Sequence, residues 1–342
     1  MGTGEKLIEV VLPGVVEPED LLVRERDVPA PGAGEVLVRM EATGISFAEQ
    51  QMRRDRYYDQ PPYPFVPGYD LVGTVIAVGP GADPALRGRR VAALTKIGGW
   101  RTHTVLAAAD VVPVPAGVSA AQAETVVVSG ITAWQMLHRL ARVRAGQTVV
   151  VLGANGSVGS ILAQLARRAG ARVIGSASAR HQDTLRAAGV EPVDYRGDLT
   201  AQVGALAPGG VDAVFDHVGG PGIAASWRLL RRGGTLVGYG SASTRDDTGN
   251  RQLPVLKLLP RVWAWNLLPN GRHAYFYNIW AGARRKDRFR AQLHADLTAV
   301  LEVMAAGELT APIAAELPLT RAAEAMRLAE SRTVVGKVVL TP

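Results

Sequence analysis

At 342 residues and 47% hydrophobic, the chain is longer than one core usually serves, so two domains are expected. Its formal charge of +7 suits an anionic ligand, but no basic stripe interleaved with aromatics points to nucleic acid. The absence of cysteine excludes disulfides, thiolate nucleophiles and cysteine-ligated metal.

Glu5 and Glu9 stand where a signal segment would need an apolar core, so a cytoplasmic location is expected. Short apolar or alternating runs over 7–11, 21–26, 35–42, 71–78, 91–94 and 111–114 predict strands, separated by clusters such as Gly79-Pro80-Gly81. Such spacing suggests a barrel-like β domain. From about residue 120 the pattern changes. Helices are predicted over 120–128 and 132–141, then strand 148–152, helix 157–169, strand 172–176 and helix 181–188. Strands 213–216 and 235–238 flank a helical stretch at 226–230. This alternation means a parallel sheet with helices on both faces. A helix over 291–306 and a strand over 337–340 close the chain.

The apolar stretch 253–269 is broken by Lys257, Pro260 and Arg261 and is too interrupted to span a bilayer. The surrounding segment 250–280 is rich in aromatics, including Trp263, Trp265, Tyr275 and Trp280, and reads as core, substrate lid or dimer surface. The basic run Arg284-Arg285-Lys286 reads as a solvated helix start.

The most specific chemical signal is a glycine loop. The buried-strand run Val149-Val150-Val151-Leu152 leads directly into Gly153-Ala154-Asn155-Gly156-Ser157-Val158-Gly159, inside which a helix begins. A tight turn, close backbone approach and a positive helix end are what a dinucleotide pyrophosphate requires. The second strand of such a unit chooses the cofactor. An NAD site places Asp or Glu there for the ribose 2′-hydroxyl. Here the segment runs Gly175-Ser176-Ala177-Ser178-Ala179-Arg180, with no carboxylate to repel a 2′-phosphate. Ser176, Ser178 and Arg180 are therefore candidate 2′-phosphate ligands, and NADPH is the expected cofactor.

Several motifs together resemble the medium-chain dehydrogenase/reductase superfamily, and within it the zinc-independent quinone oxidoreductase (zeta-crystallin-like) branch. They are Thr43 to Glu49, Pro64 to Gly73, the Gly153 to Gly159 loop, Val193-Asp194-Tyr195-Arg196, Phe215 to Gly220 and Gly336 to Leu340. The resemblance implies a GroES-like β-rich catalytic domain at 1–126 with a C-terminal return over 312–342. It implies a Rossmann doubly wound parallel-sheet cofactor domain over 127–311. It adds Tyr195 and Arg332 to the 2′-phosphate set, and places Thr132, Val218, Tyr239 and Gly240 at the nicotinamide. Ser46 and Tyr69 fall where zinc-dependent relatives carry Cys and His ligands, and the structural zinc lobe is missing, so no metal is expected.

Without a Lewis acid, acceptors that delocalise added charge are favoured, such as quinones and conjugated carbonyls. Tyr57 falls where relatives have a pocket tyrosine, with the adjacent Tyr58 as rival; Ser46 and Gln51 complete the candidate substrate set. Three readings stand: a quinone or enone reductase, an enoyl-thioester or biosynthetic tailoring reductase, and an NADPH-binding protein with little catalysis in a structural or vesicle-related role. The β-prone stretch 274–280 is expected to pair two copies into a homodimer.

Overall fold

The computed structural model describes residues 6–240, 242–244, 252–331 and 333–342. The chain divides into two compact units, Met1–Ile131 with Gly282–Pro342, and Thr132–Ala281. The helix Lys286–Ala305 therefore belongs with the first unit, where sequence reading set it inside a domain over 127–311. The physical reason lies in its contacts. Arg290 bonds Asp110 at 2.6 Å, and Val300 packs so closely on Gly130 that a Cβ there would strike it.

The second unit is a six-stranded, wholly parallel sheet. Its strands lie in the order Glu191–Asp194, Arg172–Ala177, Thr148–Val151, Val211–Asp216, Leu230–Gly238 and His273–Phe276. The order reverses direction between Thr148–Val151 and Val211–Asp216, the switch point at which doubly wound sheets bind ligands. Consecutive residues Val149, Val150 and Val151 are all fully buried, so this strand is covered on both faces. On one face Val150, Ile174, Val214 and Leu236 join a core with Val203, Ile223, Trp227 and Leu258 from three helices. The helix Ser157–Arg168 starts behind Gly156 and stops at Gly170, whose φ of 79° supplies the left-handed exit.

In the first unit the eleven-residue strand Glu35–Ile45 is the hub. It pairs antiparallel with Asp70–Val78, His103–Ala107 and the C-terminal Lys337–Thr341, so the tail does return to this unit. The sheet continues through Arg90–Leu94 to Val111–Pro113 on one side, and to Ile313–Pro318 on the other. Beneath it sits a fully buried ionic cluster. Lys337 Nζ bonds Asp70 at 3.0 Å and also pairs with Glu124, and a Cβ at Gly44 would collide with both the Glu124 carboxylate and Lys337.

Some expected bounds shift. The stretches 120–128 and 132–141 form one continuous helical run, Ala120–Trp134 passing into a wider π-helical turn over Gln135–Ala141. The helix expected at 226–230 is Ile223–Arg228, and Leu230 already belongs to the next strand. Elements that escaped sequence reading include Phe47–Arg53, His103–Ala107, Leu199–Leu206, Leu253–Asn266, Ile313–Pro318 and Ala322–Ser331.

Candidate functional site

The glycine loop in the second unit is shaped by contacts that only glycine permits. Gly153 sits at φ 64° against the imidazole of His217, and a Cβ on it would collide with that ring. Gly159 packs its α-carbon onto the Gly153 carbonyl, which brings helix Ser157–Arg168 down onto the strand end. Gly156 and Ser157 are exposed, and no side chain caps the helix start. The first turn of a twelve-residue helix thus presents its positive end to an anion, and Ala154, Asn155 and Val158 line the same turn. The loop fits a pyrophosphate.

Beside it, the expectation for Ser176 changes. Ser176 is buried beneath the loop; its Oγ accepts the Gly153 amide at 3.0 Å and its carbonyl accepts the Ala154 amide at 3.0 Å. It fastens the phosphate loop to the second strand instead of standing at the surface where a 2′-phosphate would lie. Asp194 pairs with Ala177 where both strands end, so Ser178 and Tyr195 directly follow paired residues and Arg180 comes two residues after Ser178. Arg180 and Tyr195 are exposed, and Arg180 Nε donates to His181 Nε2 at 3.0 Å. Sequence reading missed Arg196 as a ligand candidate. It is exposed, and its guanidinium lies over the Tyr195 ring, 5.7 Å from the centroid. The Asp194 carboxylate at this end accepts the Arg196 amide at 2.9 Å. Arg332 lies outside the described residues.

At the end of Val211–Asp216, Asp216 organises the next loop. Its Oδ1 accepts the amides of Val218 and Gly219 at 2.8 and 2.9 Å, and its Oδ2 accepts the Ser226 hydroxyl at 2.7 Å. The Asp216 carbonyl accepts the Tyr239 amide at 2.9 Å, and Gly240 lies against the His217 carbonyl. Val218, Tyr239 and Gly240 are thereby brought together on neighbouring strand ends. Desolvation first, and then the Asp216 charge, raises the Tyr239 phenol above its ordinary range. Thr132 is buried at the head of the same unit, near Gln135, which accepts the Tyr277 hydroxyl at 3.0 Å. Sequence reading named the Phe215 to Gly220 motif but not the role of Asp216, for which polar residues ending a buried strand just before Gly219-Gly220 were the signal.

In the first unit Ser46 is an N-cap. Its Oγ accepts the Ala48 amide at 3.0 Å and donates to Glu49, while Glu49 Oε2 accepts the Ser46 amide at 2.9 Å, completing a capping box on helix Phe47–Arg53. Glu49 Oε1 accepts the Tyr69 amide at 2.6 Å. Ser46 thus reads as part of the scaffold under Tyr69. Burial, and then the Asp70 charge, pushes the Glu49 carboxyl up. Gln51 is also buried, and its carbonyl accepts the Arg56 amide at 2.8 Å, which fixes the end of the helix.

Tyr57 is where the polar chemistry concentrates. Its hydroxyl lies 2.6 Å from that of Tyr69, their rings meet edge to face, and Tyr58 packs on it with centroids 4.9 Å apart. Burial first, with both tyrosine neighbours adding, raises the Tyr57 phenol far above its ordinary range, so it stays neutral at any working pH. Among the described residues, no group of three or more His, Cys, Asp or Glu side chains is arranged to hold a metal ion.

Comparison with known proteins adds the following. The chain matches the family described as alcohol dehydrogenase GroES-like domain over residues 32–136, and that described as zinc-binding dehydrogenase over residues 189–340. It is 31% identical over 325 residues to the human synaptic vesicle membrane protein VAT-1 homolog, covering 92% of this chain and 80% of that protein. It is 32% identical over 337 residues to a phthioceranic/hydroxyphthioceranic acid synthase of Mycobacterium tuberculosis, covering 97% of this chain but 15% of the synthase. Among solved structures, a quinone oxidoreductase of Pseudomonas syringae superposes with a TM-score of 0.83 at 26% identity, over 98% of this chain and 100% of that one. A mycobacterial protein solved in complex with NADPH gives a TM-score of 0.83 at 28% identity, over 98% and 100%.

Proposed function

The chain belongs to the medium-chain dehydrogenase/reductase superfamily, in its quinone-oxidoreductase-like branch, and from that premise we propose that it is an NADPH-dependent reductase of quinones or α,β-unsaturated carbonyls that works without metal. The observation that carries this reading is the complete phosphate cradle beside a strand end bearing Ser178, Arg180 and Tyr195. The Gly153–Gly159 turn would hold the pyrophosphate, and Arg180 with Tyr195 and Arg196 would hold the 2′-phosphate by charge and hydrogen bonding. The loops fixed by Asp216 would form the nicotinamide pocket. When bound, NADPH supplies the hydride, and with one proton from solvent the acceptor is reduced by two electrons. Tyr57 would face the acceptor oxygen as a neutral donor. Ser46 and Tyr69, which stand where zinc-dependent relatives have ligands, are engaged instead in capping and in the pair with Tyr57.

The deciding experiment follows NADPH oxidation with 9,10-phenanthrenequinone, 1,4-benzoquinone, a simple enone and crotonyl-CoA in parallel. Turnover of quinones or the enone supports the proposal. The similarity to an acid synthase across nearly the whole chain favours a second acceptor class, an unsaturated thioester. Turnover confined to crotonyl-CoA would select that reading. NADPH binding with no turnover of any acceptor would leave a binding protein and refute both.

A further inference from the structure

Two strand ends flank the switch point of the parallel sheet, and one side chain crosses between them. Strands Thr148–Val151 and Val211–Asp216 run side by side with Val151 opposite Phe215, and the Leu152 amide donates to the Phe215 carbonyl at 3.0 Å. Two residues further on, Gly153 and His217 follow at the carboxyl ends. The imidazole occupies the place where a side chain on Gly153 would begin, since a Cβ there would strike its Cε1 and Nε2. Doubly wound sheets lay their ligands across this crevice, so a dinucleotide bound here passes the ring.

The ring is held in place by its backbone. The His217 carbonyl accepts the Ala242 amide at 3.1 Å, and Gly240 packs against the same carbonyl. On either side, Asp216 and Val218 are tied together by the bond from the Val218 amide to Asp216 Oδ1 at 2.8 Å. The Tyr239 ring stands 6.1 Å from the imidazole, centroid to centroid. His217 is half-buried with its Nδ1 covered, so Nε2 is the nitrogen that a ligand meets. A neutral imidazole with its hydrogen on Nε2 is a donor there. An apolar side chain would fill the space over Gly153 equally well. The imidazole adds a donor where an anionic linker crosses.

Resting on the cofactor reading above, we propose that His217 is a ligand of the dinucleotide, its Nε2–H donating to an oxygen of the ribose phosphate that carries nicotinamide. The order of strands divides the cofactor between the two sides of Thr148–Val151. Arg180 and Tyr195 follow the two strands on one side, where the 2′-phosphate of the adenosine half is read. His217 follows the strand on the other side, whose loop continues into Val218 and Gly219. Between them, the first turn of helix Ser157–Arg168 offers its amides to phosphate. His217 therefore meets the nicotinamide half and not the adenosine half.

Calorimetry on the full chain with two probes tests this. One is NADP+. The other is 2′,5′-ADP, which keeps the adenosine with both its phosphates and lacks the nicotinamide half. His217→Phe keeps a ring over Gly153 and removes the donor. It should weaken NADP+ binding by about ten-fold, the scale of one hydrogen bond to a charged group, and change 2′,5′-ADP binding by less than about two-fold. His217→Gln, whose side-chain amide carries a donor to the same place, should bring NADP+ back to within about three-fold of wild type. A ring that only shaped the loop would lower both probes together, because both put a phosphate on the Gly153–Gly159 turn. Equal losses for the two probes, no loss for either, or a His217→Gln as weak as His217→Phe would each overturn the proposal. A wild type that binds neither probe would instead overturn the cofactor reading on which it rests.

Discussion

Arg180 and Ser176 show how far single residues could be read. Both were candidates for one phosphate, and the structure gives them different work. Ser176 ties the loop from below, whereas Arg180 stands exposed three residues past the end of the same strand. Arg180→Ala should therefore weaken NADPH binding by about ten-fold, the scale of a charged hydrogen bond, and leave NADH binding nearly unchanged; calorimetry with both cofactors checks it. The sequence could not separate the two residues because strand alternation does not say what lies across the turn. It also could not show that Ser46 would cap a helix, since Ser-x-x-Glu reads as a cap only where a helix is already expected. A second residue-scale prediction concerns acid and base. Burial raises the Glu124 carboxyl well above its ordinary value of 4.5, with the Asp70 charge adding to this and Lys337 opposing it. As pH rises from that value toward the folded one, the unfolded chain releases a proton that the folded chain keeps. Stability should therefore fall as pH rises through that window. Glu124→Gln should flatten the slope, with Glu49, raised likewise, leaving a remainder. Urea unfolding at intervals from pH 4.5 upward measures it.

At the scale of elements, the cofactor unit was legible and much of the β unit was not. Parallel strands buried on both faces read as unbroken apolar runs, and the helices between them alternate at predictable spacing. Ile313–Pro318 and His103–Ala107 are strands only because neighbours supply the pairing, so their own sequence carries little signal. The aromatic segment resolves into two elements. Helix Leu253–Asn266 turns Leu258 and Trp265 inward, Trp265 stacking on Trp227 at 4.9 Å, while Leu256, Leu259 and Trp263 stay exposed. Next to it His273–Phe276 is the last strand of the sheet, with Tyr275 exposed. The Asn266 side chain takes the outward amide and carbonyl of Ala274 at 2.8 and 2.9 Å, while the apolar helix face beside the strand stays exposed, an aggregation hazard unless covered. A second copy packed on that face about a two-fold axis would cover it. Light scattering at micromolar concentration should give twice the chain mass of 36.2 kDa, and Trp263→Glu, which puts a charge on the exposed helix face, should shift it toward monomer. A wild-type monomer would count against the pairing.

Across the whole molecule, buried polar groups are held by hydrogen bonds and by ion pairs such as Lys337 with Asp70 and Arg53 with Glu330. Ser46 and Tyr69 are committed within the β unit, so activity should survive exhaustive chelation, with elemental analysis finding no stoichiometric zinc. One tightly held zinc per chain that is needed for turnover would reverse that expectation. No helix among the described residues is long and apolar enough to cross a membrane. Direct hydride delivery from NADPH is the central claim, and isotope transfer tests it most directly. NADPH deuterated at C4, prepared separately as each stereoisomer, is incubated with the protein and an enone, and the saturated product is examined by mass spectrometry and NMR. One of the two isomers should place a single deuterium on the β-carbon of the product. Reduced product free of deuterium from both isomers would contradict the account.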